Sequence, residues 1–487
     1  MIVSPPATDR VSWLGVCSAL CLALALGCAV GPDYQRPDVA TPDAWGELAP
    51  ANGPGRSEAV ETGAPIAWWV SFEDPLLASI IDRTVQSNLT LQQAEARVIE
   101  ARASRRIAAG ALWPSLDSFG NYTRARTSKN GPGALQQGHW YNLFEAGFDA
   151  NWEIDVFGGN RRALEAADAA LEAAQNDRNA VLVSLLGEVG LEYVTYRSLQ
   201  QRIALTQQNL VLQQQTLDLT RRLFDAGLAP ELDVQRAAAQ VATTASTIPP
   251  LEQQSAQSLH RLGVLTGQPP MALESVLADI GPIPRPPAQV AVGVPSELLL
   301  RRPDIARAER QLASQTAEIG VATADLFPRF FLSGIGELQS IEAADFFKWQ
   351  SRAASFGPQI RWPIFQGGRI RGNIEFQTAE QQELLAAYRD AVLTAFQDVE
   401  DALVGFSQQQ SARDQLVDAV QANQRATELA RKLYSQGLTD FLTVLVAEGS
   451  LLTTQDSLAQ SERDVALELI ALYKALGGGW ELASASP

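Results

Sequence analysis

The chain of 487 residues is written twice, and that limits what it can fold into. Leu223-Phe224-Asp225-Ala226-Gly227-Leu228 returns as Leu433-Tyr434-Ser435-Gln436-Gly437-Leu438, 210 positions later. Trp152 recurs as Trp362 at the same offset, Gly158-Gly159 as Gly367-Gly368 at 209, and Trp113-Pro114 as Phe327-Pro328 at 214. So long a repeat is one supersecondary unit duplicated, and neither copy need be stable alone. It points to a quasi-symmetric ring or tube rather than a single-site enzyme.

Each copy holds a stretch of period two. Phe144, Ala146, Phe148, Ala150, Trp152 and Ile154 alternate with Glu145, Gly147, Asp149, Asn151, Glu153 and Asp155. One face is wholly apolar and the other strongly polar, as in a transmembrane β-strand between lipid and water. On this alternation Asp149, Glu153 and Asp155 face the water-filled side. Phe356, Pro358, Ile360, Trp362 and Ile364 alternate likewise in the second copy. Partner strands are expected at about 115–124 and 328–338, joined by polar loops.

After Gly158-Gly159 the pattern turns helical up to Phe224 with no proline inside. Leu182, Val189, Tyr196, Ile203, Leu210, Leu217 and Phe224 fall seven residues apart, a coiled-coil seam. Gln200, Gln207 and Gln214 occupy companion positions and line either a hydrated seam or a tube wall. Such a helix is close to ~100 Å long and must pack beside others. Gly227 and Pro230 end it, and a second helix returns from Glu231 to about Thr266, interrupted near Pro249-Pro250. The second copy repeats this, from about Arg369 to Ser435 and back from Asp440 to Leu476.

Val11 to Gly27 has the layout of a secretory signal, and Leu24-Ala25-Leu26-Gly27-Cys28 resembles a bacterial lipobox, which makes Cys28 the acylated first residue of the mature protein. With Cys17 and Cys21 in the signal, no disulfide or cysteine metal cluster is expected. His139 and His260 are the only histidines, too few for a histidine-based metal or triad site. The formal net charge of −17 argues against nucleic acid as a partner. No cofactor is expected, nor catalysis: carboxylates two apart on a strand share one watered face and define no cleft. Glycine and proline from Gly31 to about Gly63 read as an extended tether.

Four strands cannot close a barrel, and lipid tolerates no open sheet edge. The chain must therefore share a barrel with copies of itself. Cys28-Ala29-Val30-Gly31-Pro32-Asp33-Tyr34-Gln35-Arg36-Pro37, Trp152-Glu153-Ile154-Asp155-Val156-Phe157-Gly158-Gly159, Leu300-Arg301-Arg302-Pro303-Asp304-Ile305 and both helix-turn runs carry a resemblance to the TolC/OprM-like outer membrane factors, in particular the NodT-type efflux lipoproteins. The resemblance covers essentially the whole mature chain. It implies a mixed α/β membrane protein: a homotrimeric tube with a shared transmembrane β-barrel, four strands per chain, and a long coiled-coil periplasmic α-barrel. It also implies an outer-membrane location, a periplasmic adaptor and an inner-membrane pump.

Expected bounds are a signal at 1–27, a lipidated tether at 28–73, a first repeat at 74–281 and a second at 296–476, with a tail at 477–487. Strands are placed at about 115–124, 144–157, 328–338 and 354–366, and hairpin tips at 223–233 and 433–443. By resemblance, Leu223, Gly227, Leu228, Leu433, Gly437 and Leu438 at the tips touch the adaptor. Many relatives carry an aspartate ring beyond the second tip, where this chain has Val446. The periplasmic gate is then either apolar, through Leu442 and Val446, or acidic, through Asp440 and Glu448. The function implied is a passive exit duct of an efflux system, one driven by an RND-type pump, that exports small molecules. Alternatives are the duct of a type I protein secretion system and a structural coiled-coil lipoprotein without a pore.

Overall fold

A computed structural model of the chain describes residues 29–46, 58–60, 67–128, 138–287 and 289–481. The signal, Cys28 and the last six residues lie outside them. Six strands occur among the described residues: β1 Glu58–Val60, β2 Ser115–Arg126, β3 Trp140–Ile154, β4 Gln289–Ala291, β5 Arg329–Ser340 and β6 Arg352–Arg361. The helices are α1 Pro75–Ser87, α2 Leu89–Gly110, α3 Gly159–Asp225, α4 Glu231–Ser246, α5 Ile248–Leu265, α6 Glu274–Leu277, α7 Pro295–Arg301, α8 Pro303–Ala324, α9 Arg369–Ser435 and α10 Phe441–Ala475. No helix among the described residues is long and apolar enough to cross a membrane.

The helix boundaries follow local chemistry. Asp74 caps α1, accepting from the Leu76 and Leu77 amides at 2.9 and 3.1 Å, with Pro75 in the first turn, where no N–H is needed. Asn88 separates α1 from α2 and accepts from the Leu91 amide at 2.9 Å. The interruption expected near Pro249-Pro250 lies at Thr247, because prolines fit the first turn of α5 but not the interior of a continuous helix.

The residues form two compact units, and neither coincides with a repeat. One takes residues up to 37, 98–173 and 308–388; the other takes 38–97, 174–307 and 389 onward. Each therefore draws on both copies, and in the first unit the reason is backbone pairing. In the first unit, β2-β3-β5-β6 form one antiparallel sheet, and β3 pairs with β5 from Phe144↔Ser340 to Ile154↔Phe330. The sheet joins the copies strand to strand.

The strand bounds differ from expectation by a few residues. β3 starts earlier, at Trp140, and β6 stops at Arg361, since Pro363 has no N–H for a ladder. The repeat reappears in hydrogen bonds. Trp152 Nε1 donates to the Leu112 carbonyl at 3.0 Å, and its counterpart Trp362 to the Leu326 carbonyl at 3.1 Å. Each tryptophan thus closes the last turn before its own hairpin.

The expected tether is extended but not free. In the first unit, buried Arg162 donates to the Val30 carbonyl at 3.1 Å and to Asp33 at 2.6 Å. Tyr34 donates to Glu309 at 2.5 Å. A Cβ on Gly31 would strike the Gly320 backbone, so this arm seats only where two glycines meet. In the second unit Trp45 is buried and donates to the Gly293 carbonyl at 3.0 Å. Trp68, Trp69 and Phe72 form a buried 3-10 turn, with Trp68 stacked 5.9 Å from Tyr473. β1 pairs in parallel with β4, so the segment read as a tether contributes a strand.

Candidate functional site

The two hairpin tips, both in the second unit, are built alike. Gly227 has φ 74° and Gly437 φ 71°, which favours glycine over any residue with a Cβ. Leu228 N donates to the Leu223 carbonyl at 2.8 Å and Gly227 N to Phe224 at 2.8 Å. The second tip matches: Leu438 N to Leu433 at 2.9 Å and Gly437 N to Tyr434 at 2.9 Å. These paired bonds are a Schellman motif, which satisfies the last carbonyls of α3 and α9. The apolar residue that follows each glycine is left in solvent: Leu228 is 76% exposed and Leu438 69%. Leu232, Leu433, Leu442 and Val446 are exposed too.

Beneath the tips the copies cease to be equal. Leu217 and Ala237 of the first hairpin are buried against Ala430, Tyr434, Phe441 and Val444 of the second, and Leu223 packs at the edge. Tyr434 is buried where its repeat partner Phe224 is exposed, and Phe441 is buried where its partner is Glu231. Asp440 caps α10, accepting from the Thr443 amide at 3.0 Å and its hydroxyl at 2.6 Å. The Thr443 hydroxyl bond lowers its pKa, and the amide bond adds to that. Pro230 caps α4 with no side-chain bond.

Glu448 requires a correction. It is 5% exposed and accepts at 2.8 Å from both Arg431 Nε and Thr216 Oγ1. A carboxylate enclosed by its own chain is a structural link, not a ring facing a passage. Asp440 keeps its exposure, but one of its oxygens is committed to the helix cap.

The seven-residue apolar seam also needs correction. Leu182, Val189, Tyr196 and Leu217 are buried, whereas Phe224 is 41% exposed. Phe224 stands in the last turn of α3, next to the tip. A polar stripe takes over. Ser198, Thr206, Asn209, Gln213, Thr216 and Thr220 are buried along α3. Asn209 donates to Gln455 at 2.8 Å, and Arg202 forks onto Asp456 at 2.6 and 3.1 Å. Gln200 is buried and donates to the Leu277 carbonyl at 2.9 Å, while Gln207 and Gln214 are exposed. Spacing shows that α3 is helical, not which polar residues it buries; no signal in the sequence marked this stripe.

The motif at Arg302 was legible, its role was not. Arg302 holds Asp304 at 2.7 Å, Asp398 at 3.0 Å and the Ala475 carbonyl at 3.1 Å. It lines a cavity of about 600 Å3 with Asp401, Glu468 and Lys474. Burial opposes the ionised form of Asp304, but the Arg302 bond prevails and its carboxyl titrates below the ordinary range.

In the first unit the sheet separates its faces. Pairing places Asp149 opposite Asp117 and Ile335, and Glu153 opposite Phe331. Glu145 and Glu337 share that face. The other face carries Leu116, Tyr122, Phe144, Phe148, Trp152, Ile154, Leu332, Phe356 and Ile360. Most of these are open to solvent in the single chain, Phe356 at 90%. Asp155 is not among the strand carboxylates. It lies one residue past β3, where its oxygens accept from the Asn160 and Arg161 amides at 3.2 and 2.9 Å and cap α3. β2 and β6 are the free edges of the sheet.

The outer membrane efflux protein family profile matches residues 80–268 and 294–478. Nodulation protein T of Rhizobium leguminosarum bv. trifolii is 33% identical over 463 residues, covering 94% of this chain and 96% of that protein. The pyoverdine export outer membrane protein OpmQ of Pseudomonas aeruginosa is 34% identical over 472 residues, covering 95% and 97%. Among solved structures, the outer-membrane channel OprN superposes with a TM-score of 0.87 at 35% identity, over 93% of this chain and all of that one.

Proposed function

This chain belongs to the outer membrane efflux protein family, and from that premise we propose that it is the passive exit duct of a tripartite efflux system driven by an RND-type pump. The observation that carries this reading is the sheet: an apolar face open to solvent, a carboxylate-bearing opposite face, and two unpaired edges. Unpaired backbone groups are not tolerated in hydrocarbon. Pairing β6 of one copy with β2 of the next removes both edges, and three copies close a barrel of twelve strands. Asp149 and Glu153 then line its water-filled interior.

The duct needs a wall rather than a reacting group, and energy comes from the inner-membrane pump. The exposed leucines at the tips, with Leu223 and the two glycines behind them, supply a small apolar surface for a periplasmic adaptor. Leu442 and Val446, one turn apart and both exposed, favour an apolar gate. Acylated Cys28 would anchor the arm that begins at Ala29. Small molecules are the favoured cargo, since the matched OpmQ is named for pyoverdine export. The test is conductance of the purified protein in planar bilayers, with complementation of an efflux-deficient strain. Absence of channels, or rescue of protein secretion alone, overturns the reading.

A further inference from the structure

The sheet sorts its charges by face and by end. All of its carboxylates, Asp117, Glu145, Asp149, Glu153 and Glu337, stand on one face, with Arg329 and Arg361 among them. The apolar face bears no carboxylate, and its only charges are Arg124, Arg126 and Arg352. All three lie at the hairpin-loop end, whereas the opposite end of that face holds Leu116, Ile154, Phe330 and Ile360. In a chain of net charge −17, a surface with cations and no anions is a local exception.

All three arginines are exposed, and two of them are supported by rings. Arg124 lies 5.6 Å from the centre of Trp140, and Arg352 lies 3.8 Å from that of Trp349. Neither has a carboxylate partner among the described residues. Arg126 donates to the Gly138 carbonyl at 3.2 Å, which directs its guanidinium along the loop edge. Phe347 and Trp349, in the loop that precedes Arg352, are 85% and 73% exposed. A guanidinium stacked on an aromatic ring keeps its donor fork free for phosphate oxygens.

We propose that Arg124, Arg126 and Arg352 form a binding site for the phosphate groups of the bisphosphorylated glycolipid of the outer leaflet. This rests on the reading that the sheet spans the membrane as a closed barrel. In that barrel β6 of one copy lies antiparallel to β2 of the next, so Arg352 of one copy reaches the level of Arg124 and Arg126 of its neighbour. Three such clusters ring the barrel at the loop end. The aromatic rings lie at the depth of the headgroups, and the apolar strand face below takes the acyl chains. An ordinary interfacial anchor would place cations at both ends of the face; here they mark one leaflet.

The test compares the wild type with a variant bearing Arg124→Gln, Arg126→Gln and Arg352→Gln. Both are reconstituted in phosphatidylcholine nanodiscs doped with diphosphoryl lipid A, and bound lipid is counted by native mass spectrometry. The wild type is expected to retain lipid A about tenfold or more above the variant, and a triple Arg→Lys variant to recover most of the difference. Equal retention by wild type and Gln variant overturns the proposal, as does equal retention of lipid A stripped of both phosphates. Retention of phosphatidylglycerol as strong as that of lipid A overturns the glycolipid assignment. Cross-linked trimer and conductance in pure phosphatidylcholine are measured separately; their absence in the wild type refutes the barrel itself, and the Gln variant is expected to keep both.

Discussion

Thr216 of the first helical hairpin donates its hydroxyl to buried Glu448 of the second at 2.8 Å, and Arg431 reaches the same oxygen at the same distance. The two copies are thus locked together a few turns from their tips by a group that has no repeat partner: Ala238 stands at the equivalent position. Glu448→Ala leaves Arg431 without its acid and Thr216 without its acceptor. Because Arg431 is about one-third exposed, the loss is expected below the ~3–5 kcal/mol of a fully buried pair, at about 2 kcal/mol. Differential scanning calorimetry reads it as a lower melting temperature. Conductance is expected to rise with cation selectivity unchanged; a change in cation block would restore Glu448 to an acidic gate.

The tip leucines make the opposite prediction. Leu228→Asp with Leu438→Asp alters exposed side chains that hold nothing in place, so thermal stability and conductance should stay within about 0.5 kcal/mol and measurement error. Adaptor binding by surface plasmon resonance should fall at least about tenfold, since charges replace the apolar centre of a small interface. Unchanged binding would move the docking surface away from the tips.

Acid should weaken the second unit through Asp304. Its folded carboxyl titrates below the unfolded value, so its contribution is complete above about pH 4 and is lost as pH falls through the folded value. Asp304→Asn is therefore expected to melt lower than the wild type at pH 7, with the gap closing below about pH 4. A gap that persists into strong acid would assign the effect to packing.

The N-terminal arm is predicted to depend on two glycines. Gly31→Val adds a branched side chain at φ +93° and against Gly320. The cost of the backbone conformation alone is about 1–3 kcal/mol. Limited proteolysis should then cut within residues 29–37 while the sheet stays intact; Arg162→Ala should do the same. An arm that resists cleavage in both variants is held by something else.

Within the sheet, face decides the outcome of substitution. Phe148→Arg places a charge on the apolar face and is expected to cost about 2–4 kcal/mol in lipid, read as loss of assembled protein. Asp149→Asn, one residue away on the other face, should leave assembly intact and change ion selectivity. Equal effects would mean that neither face meets lipid.

Much of this was legible in the linear order of residues. Period two over 144–154 and the glycines that end α3 and α9 are local signals, and local backbone geometry depends on neighbours in the chain. The duplication was legible for the same reason, since each copy builds the same strands, turns and helices from its own residues.

Tertiary packing decided what the repeats do to each other. Repeat offsets cannot say that β3 pairs with β5, that the compact units take residues from both copies, or that Tyr434 is buried and Phe224 is not. They cannot tell a carboxylate on the polar face of the sheet, Asp149, from one that caps a helix, Asp155, or one enclosed between hairpins, Glu448. Those outcomes depend on which distant side chain fills the neighbouring space. A sequence carries spacing along one chain; burial and pairing are set by surfaces that meet only once the chain has folded.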